Sequence, residues 1–125
     1  MNLYEIVKDA SKTSSRKKLS EYAKHESFIV RSMVALNRNC QGGTLNNLCV
    51  DKHEMVRCSA ASNPNITILY VWALASKSDS VKACLARNEN LNEFPLTKYF
   101  LQNNKSKYVR DAFEQGERIR KALHH

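Results

Sequence analysis

The chain has 125 residues, 42% of them apolar, which suffices for one domain with a buried core. Three Gly and two Pro exclude collagen-like, disordered and turn-rich all-β architectures. Twenty Lys and Arg against twelve Asp and Glu leave a net charge of +8, which favours nucleic acid, an anionic protein surface or anionic lipid as a partner.

Apolar residues at helical spacing predict an all-α fold, taken here in chain order. Residues 2–12, with Leu3, Ile6 and Val7 on one side, read as an N-terminal capping helix. Thr13, Ser14 and Ser15 stop it and N-cap a second helix over 15–24, basic at Arg16, Lys17 and Lys18 and apolar at Leu19, Tyr22 and Ala23. Residues 26–37 and 43–51 form a pair joined across Gln41-Gly42-Gly43, the best turn in the chain. A second pair covers 53–62 and 66–76, and a third 79–88 and 92–103, with Pro95 where a first-turn proline is tolerated. Residues 106–123 form a longer terminal helix with Val109, Phe113, Ile119 and Leu123 on one side. The expected organisation is one domain, 1–125, with a cap at 1–24, repeats at 25–104 and a C-terminal capping helix at 105–125.

Neither a basic start nor a long apolar run opens the chain, and its longest apolar stretch, Ile68–Ala75, falls far short of the roughly 20 residues that span a bilayer. A soluble, cytoplasmic protein without membrane contact is expected.

The pairs restate one unit. Val30-Arg31-Ser32-Met33-Val34-Ala35-Leu36-Asn37 recurs as Val56-Arg57-Cys58-Ser59-Ala60-Ala61-Ser62-Asn63 and as Val81-Lys82-Ala83-Cys84-Leu85-Ala86-Arg87-Asn88. Val109-Arg110-Asp111-Ala112-Phe113 repeats the first half, then diverges, with Glu114 for Ala and Gly116 for Asn. A fainter Val7-Lys8-Asp9-Ala10 precedes them. With the Val as position n, the steps between units are 26, 25 and 28 residues, a period that signals stacked repeats too small to bury their own faces. Ala at n+5 keeps a flank thin for close packing. Asn at n+7 suits a helix end because Asn tolerates the left-handed conformation, and Pro64 reinforces the stop at Asn63.

The run Val56–Asn65, with an apolar helix after it and Asp79 before the next Val-Lys, resembles the leucine-rich repeat variant and, more broadly, HEAT-like α-solenoids. The likeness covers roughly residues 25–113 and is most specific over 53–90. It implies about four helix-turn-helix units in a curved, right-handed superhelix. Some members of the variant family carry an iron–sulfur cysteine cluster; this chain has no such cluster, and no cofactor is expected.

Three constellations bear on function. Arg31, Arg57, Lys82 and Arg110, all at n+1, would set one cation per repeat along a surface at the roughly 8–10 Å spacing of packed helices, with Arg16, Lys17 and Lys18 adding a basic cluster. Such a stripe could grip phosphates or carboxylates; equally, each cation could pair with an acid such as Asp51 or Asp79 near the seam between repeats. Tyr70, Trp72, Tyr99 and Phe100 lie on the second helices of neighbouring units and could form a partner pocket or a stacking platform, Tyr70 and Tyr99 being the members expected at the surface. Cys40, Cys49, Cys58 and Cys84 contain no CxxC pair, and Cys49, His53 and Cys58 match no closed zinc spacing, so neither metal nor disulfide is expected and Cys58 and Cys84 read as buried apolar residues. His25 and His53, each before a repeat helix, suit capping. Catalytic motifs are lacking. The reading is a binding scaffold, not an enzyme, that presents a basic face to an acidic protein; the alternative is DNA or RNA on the same face. A HEAT-like DNA glycosylase with Asp51 or Asp79 beside Trp72 is a remote third.

Overall fold

Short apolar stripes broken by Ser, Asn and Thr produce short helices. The computed structural model describes residues 1–124 apart from the side chain of Ile68; that side chain, at the start of an expected apolar helix, and His125 lie outside the described residues. The helices are α1 (Leu3–Lys12), α2 (Arg16–Tyr22), α3 (Phe28–Leu36), α4 (Gly42–Leu48), α5 (Glu54–Ala61), α6 (Ile68–Ala75), α7 (Asp79–Ala86), α8 (Pro95–Gln102) and α9 (Lys107–Leu123). Among the described residues there is no strand, and the fold is all-α.

Side-chain caps fix several starts. Asn2, Ser15, His53, Ser78 and Ser106 each accept a hydrogen bond from a first-turn backbone N–H. The expected 92–103 helix is divided into a 3-10 turn at Leu91–Glu93 and α8, with Pro95 at the head of α8. Proline disfavours helical backbone at the residue before it, and Phe94 sits at φ −125°, ψ 72°. The turn after α3 closes at Gly42, whose φ of 61° needs no Cβ and opens α4.

The odd-numbered helices pack in succession, α1 on α3, α3 on α5, α5 on α7 and α7 on α9. α2, α4, α6 and α8 lean on α3, α5, α7 and α9, and α6 also meets α8. The contacts follow the repeat register. Positions n, n+4 and n+5 are buried in each unit: Val30, Val34 and Ala35; Val56, Ala60 and Ala61; Val81, Leu85 and Ala86. Leu45, Leu48 and Cys49 do the same for α4, and Val71, Leu74 and Ala75 for α6.

The recurring Asn does not act through its backbone. Among the described residues none but glycine has a positive φ, and Asn37 is extended at φ −66°, ψ 123°. Its side chain does the work instead. Nδ2 of Asn63 donates to the carbonyls of Ala35 (2.8 Å) and Asn37 (3.0 Å) in the preceding unit, while its Oδ1 accepts from the backbone N–H of Asn65 (2.9 Å). Asn88 repeats this on Ala61 (2.8 Å), Asn63 (3.0 Å) and Asn90 (2.9 Å). Asn37 repeats it on Ala10 (3.0 Å), Thr13 (2.9 Å) and Asn39 (2.8 Å). A helix leaves its last carbonyls without intrahelical partners, and each Asn satisfies two such groups on the helix before it. A second Asn two residues on reinforces the seam: Asn65 Nδ2 donates to the carbonyls of Arg38 and Cys40, and Asn90 Nδ2 to that of Pro64.

The last unit solves the same problem differently. Gly116 stands where Asn is expected, and α9 runs on through it. Arg120, fully buried, sends Nη1 to the carbonyls of Ala86 (2.7 Å) and Asn88 (3.0 Å), the pair that an Asn would have taken. A Cβ on Gly116 would lie 2.3 Å from the Ala86 oxygen and 2.7 Å from that Nη1, so the glycine clears the path of the guanidinium. Arg120 Nε donates to Glu117 Oε1 at 3.1 Å, and its guanidinium carbon lies 5.4 Å from the Phe113 ring centroid. Burial lowers the pKa of Arg120, with Glu117 opposing the shift.

Candidate binding surface

The n+1 cations turn inward along the backbone. Arg31, only 6% exposed, donates from Nη1 to the carbonyls of His25 (2.8 Å) and Glu26 (3.0 Å) and grips Asp51 with Nε (2.9 Å) and Nη2 (3.3 Å). Arg57 Nη1 donates to the carbonyl of Asp51 at 2.7 Å. Arg110 Nη1, though exposed, donates to the carbonyls of Asn104 (2.8 Å) and Lys105 (2.9 Å). In each case the cation reaches back five or six residues and clamps the turn that leads into its own helix. The same turns are tightened by a side chain at n−5: His25 Nδ1, Asp51 Oδ1 and Asn104 Oδ1 accept from the backbone N–H of Ser27, His53 and Ser106. The ladder is therefore not a free basic stripe. Asp51, expected as one candidate acid, is the partner of Arg31.

Lys82 is the exception. No carbonyl clamp engages it among the described residues; its Nζ lies 4.0 Å from Asp79 Oδ1 and 5.8 Å from the Phe100 ring centroid. It forms part of an open cleft of about 670 Å³ between α6 and α8, lined by Trp72, Leu96, Tyr99 and Phe100, with Asp79, Lys82 and Lys105 around them and Asn103, Asn104 and Ser106 completing the wall. Leu96 is 71% exposed, Tyr99 69%, Trp72 41% and Phe100 39%.

Of the expected site residues, the structure brings Lys82 and Tyr99 together in this cleft. Tyr70 is corrected: it is half-buried against the core, because Val71 and Leu74 turn inward and draw it to the edge of the packed face. Arg16, Lys17 and Lys18 stand exposed at the head of α2, where Lys18 Nζ reaches Asp9 Oδ2 at 3.3 Å. The Tyr22 hydroxyl also donates to Asp9 (2.7 Å), and it is foremost in holding that carboxyl below its ordinary pKa.

Leu96 and Lys105 were not singled out by sequence. The signal for Leu96 is excess. α8 needs Thr97 and Leu101 for its buried side, and α6 needs Val71, Leu74 and Ala75. The remaining apolar residues, Leu69, Trp72, Leu96, Tyr99 and Phe100, exceed what these two helices bury.

The cysteines divide differently from expectation. Cys40 and Cys49 are fully buried, whereas Cys58 and Cys84 are half-buried neighbours, since n+2 and n+3 lie off the n, n+4 stripe. Burial pushes the thiols up, Cys40 to about 11 and Cys49 and Cys58 to about 12, so they are poor nucleophiles at neutral pH. No cluster of three or more His, Cys, Asp or Glu suited to a metal occurs among the described residues. His53 Nδ1 caps α5 by accepting from the Met55 N–H at 3.1 Å, and its ring stacks on Phe28 at 3.9 Å. No helix among the described residues is long and apolar enough to cross a membrane. Comparison with protein-family models, with curated proteins and with solved structures finds no match to this chain.

Proposed function

We propose that the chain is a non-catalytic helical-repeat scaffold, a right-handed α-solenoid of the leucine-rich-repeat-variant or HEAT-like kind, that binds an acidic protein partner. The observation that carries this reading is a division of labour among the cations. Arg31, Arg57, Arg110 and Arg120 hold the frame, while Lys8, Lys12, Arg16 and Lys17 remain exposed, without acid partners among the described residues, on the first two helices. The exposed cations of α1 and α2 thus face outward, toward an acidic partner. Support for a repeat scaffold comes from the same Asn bonds recurring in three successive units.

The test is fluorescence anisotropy with an Asp/Glu-rich peptide, a random-sequence DNA duplex and a single-stranded RNA at two salt concentrations. Saturable peptide binding that weakens with salt supports the proposal. Nucleic-acid binding tighter than peptide binding, with a log–log salt slope near −0.9 per phosphate contact, overturns it.

A further inference from the structure

The α6–α8 cleft has a composition that the frame does not need. Its apolar members belong to two helices whose buried sides are already complete, and they face solvent in a cleft also lined by Lys82 and Lys105, with Asp79 the single acid. The local balance is one positive charge within a molecule of +8. Leu96, Tyr99, Trp72 and Phe100 thus stand together at the surface with apolar area that the packing of α6 and α8 does not use.

Three occupants compete, and the residues choose among them. A second copy of this chain would set +8 against +8 and bring the same lysines face to face. Single-stranded nucleic acid would use Trp72, Tyr99 and Phe100 as stacking surfaces, but Leu96, 71% exposed, has no π-face for a base, and two lysines do not make a track for successive phosphates. An acidic peptide segment fits both halves: aliphatic or aromatic side chains against Leu96, Tyr99, Phe100 and Trp72, and carboxylates on Lys82 and Lys105. Lys82 is suited to this because its ammonium, resting beside the Phe100 ring, is held at the cleft wall instead of trailing in solvent.

We propose that this cleft is the docking site for an acidic segment of a partner protein, with one or two large apolar side chains seated between α6 and α8 and a neighbouring carboxylate bound by Lys82 and Lys105. The inference rests on the scaffold reading and adds to the cations of α1 and α2 a docking surface on α6 and α8. The exposed Leu96 and Tyr99 are the anchors, and Lys105 sets the charge preference.

The experiment uses the full chain and three fluorescein-labelled peptides in anisotropy titrations: a short peptide of Asp and Glu interrupted by Leu and Phe, the same peptide with Ala in place of Leu and Phe, and the same peptide with Lys in place of its acids. Oligouridine is the fourth probe. The acidic apolar peptide is expected to bind at least about tenfold more tightly than the Ala version, and the Lys version not at all. Tyr99→Ala and Leu96→Ser, both on the surface and checked for an unchanged circular dichroism spectrum, should each weaken that binding by about fivefold or more. Lys105→Glu should weaken it too and improve binding of the Lys peptide.

Equal binding of both acidic peptides, unmoved by Tyr99→Ala, overturns the cleft while leaving an acidic-partner scaffold in place. Failure of both acidic peptides to bind at low salt overturns the scaffold reading and the cleft with it. Oligouridine binding tighter than any peptide and lost in Tyr99→Ala overturns the peptide assignment in favour of nucleic acid.

Discussion

Asn63 shows what a single side chain contributes to this frame. It closes two carbonyls of the preceding unit and one N–H of its own turn, all with little access to water. A buried polar group left without its partner costs about 1–3 kcal/mol, so Asn63→Ala should destabilise by about 2–4 kcal/mol in urea unfolding. Asn63→Asp should be worse than Ala, because it turns a carboxylate toward the same two carbonyls. A smaller loss for Asp than for Ala would contradict the donor role. Gly116 makes the opposite kind of test. Alanine in a helix interior ordinarily gains about 1 kcal/mol over glycine. Here its Cβ would meet the Ala86 backbone oxygen at 2.3 Å and the Cα of Arg87 at 2.9 Å, neither the loose end of a side chain. Gly116→Ala should therefore lower stability by about 1–3 kcal/mol, and a stabilised variant would show that Arg120 does not pass there. The repeat of Asn at n+7 was plain in the sequence, but its job was not. A backbone preference explains one Asn. The doublets Asn37/Asn39, Asn63/Asn65 and Asn88/Asn90 at fixed register point instead to side-chain bonding across units.

At the scale of the element, α3 and α5 are fastened at both ends, α7 at its exit and α9 at its entry. The turns of entry to α3, α5 and α9 are clamped by the n+1 cation, and the last carbonyls of α3, α5 and α7 are capped by the next unit. The n+1 cations should accordingly register in stability according to burial. Arg31→Gln, which gives up a buried grip on Asp51 and two carbonyls, should cost about 2–3 kcal/mol in thermal or urea unfolding. Arg110→Gln, on an exposed turn, should cost less than about 1 kcal/mol. Equal effects would sink the burial argument. α9 adds a pH dependence. Burial alone would raise the Glu117 carboxyl, but the hydrogen bond from Arg120 and the charge of Lys98, 3.4 Å away, hold it below its ordinary 4.5. The unfolded chain then binds the proton more readily than the folded one, so this stability is present above pH 4.5 and is lost as the pH falls through the lower folded value. Urea midpoints should drop between neutral pH and about pH 3 by more in the wild type than in Glu117→Gln; parallel curves would remove Glu117 from the account. The helices themselves were legible to within three residues at each end, because valine, alanine and leucine keep their spacing. The break at Phe94 follows from the effect of Pro95 on the residue before it, which the tolerance of proline in a first turn does not include.

At the scale of the molecule, the basic charge and the repeat are separate facts that the sequence made look like one. Three of the four n+1 cations, Arg31, Arg57 and Arg110, clamp a turn, so their regular spacing reflects structure. The cleft leaves no such period; it arises from two helices that carry more apolar residues than their packing consumes, which becomes visible only once their buried sides are assigned. The central claim is this separation of internal cations from an outward apolar cleft. Its most direct test is a series of 1H–15N correlation spectra of the labelled protein during titration with the acidic apolar peptide. The Nε–H signals of Arg31 and Arg120 should be visible, slow to exchange and unmoved, while the Trp72 indole and the amides around Leu96–Ser106 shift. Shifts of the Arg31 Nε–H signal on titration, with the cleft silent, would contradict the account and return the binding role to the n+1 cations.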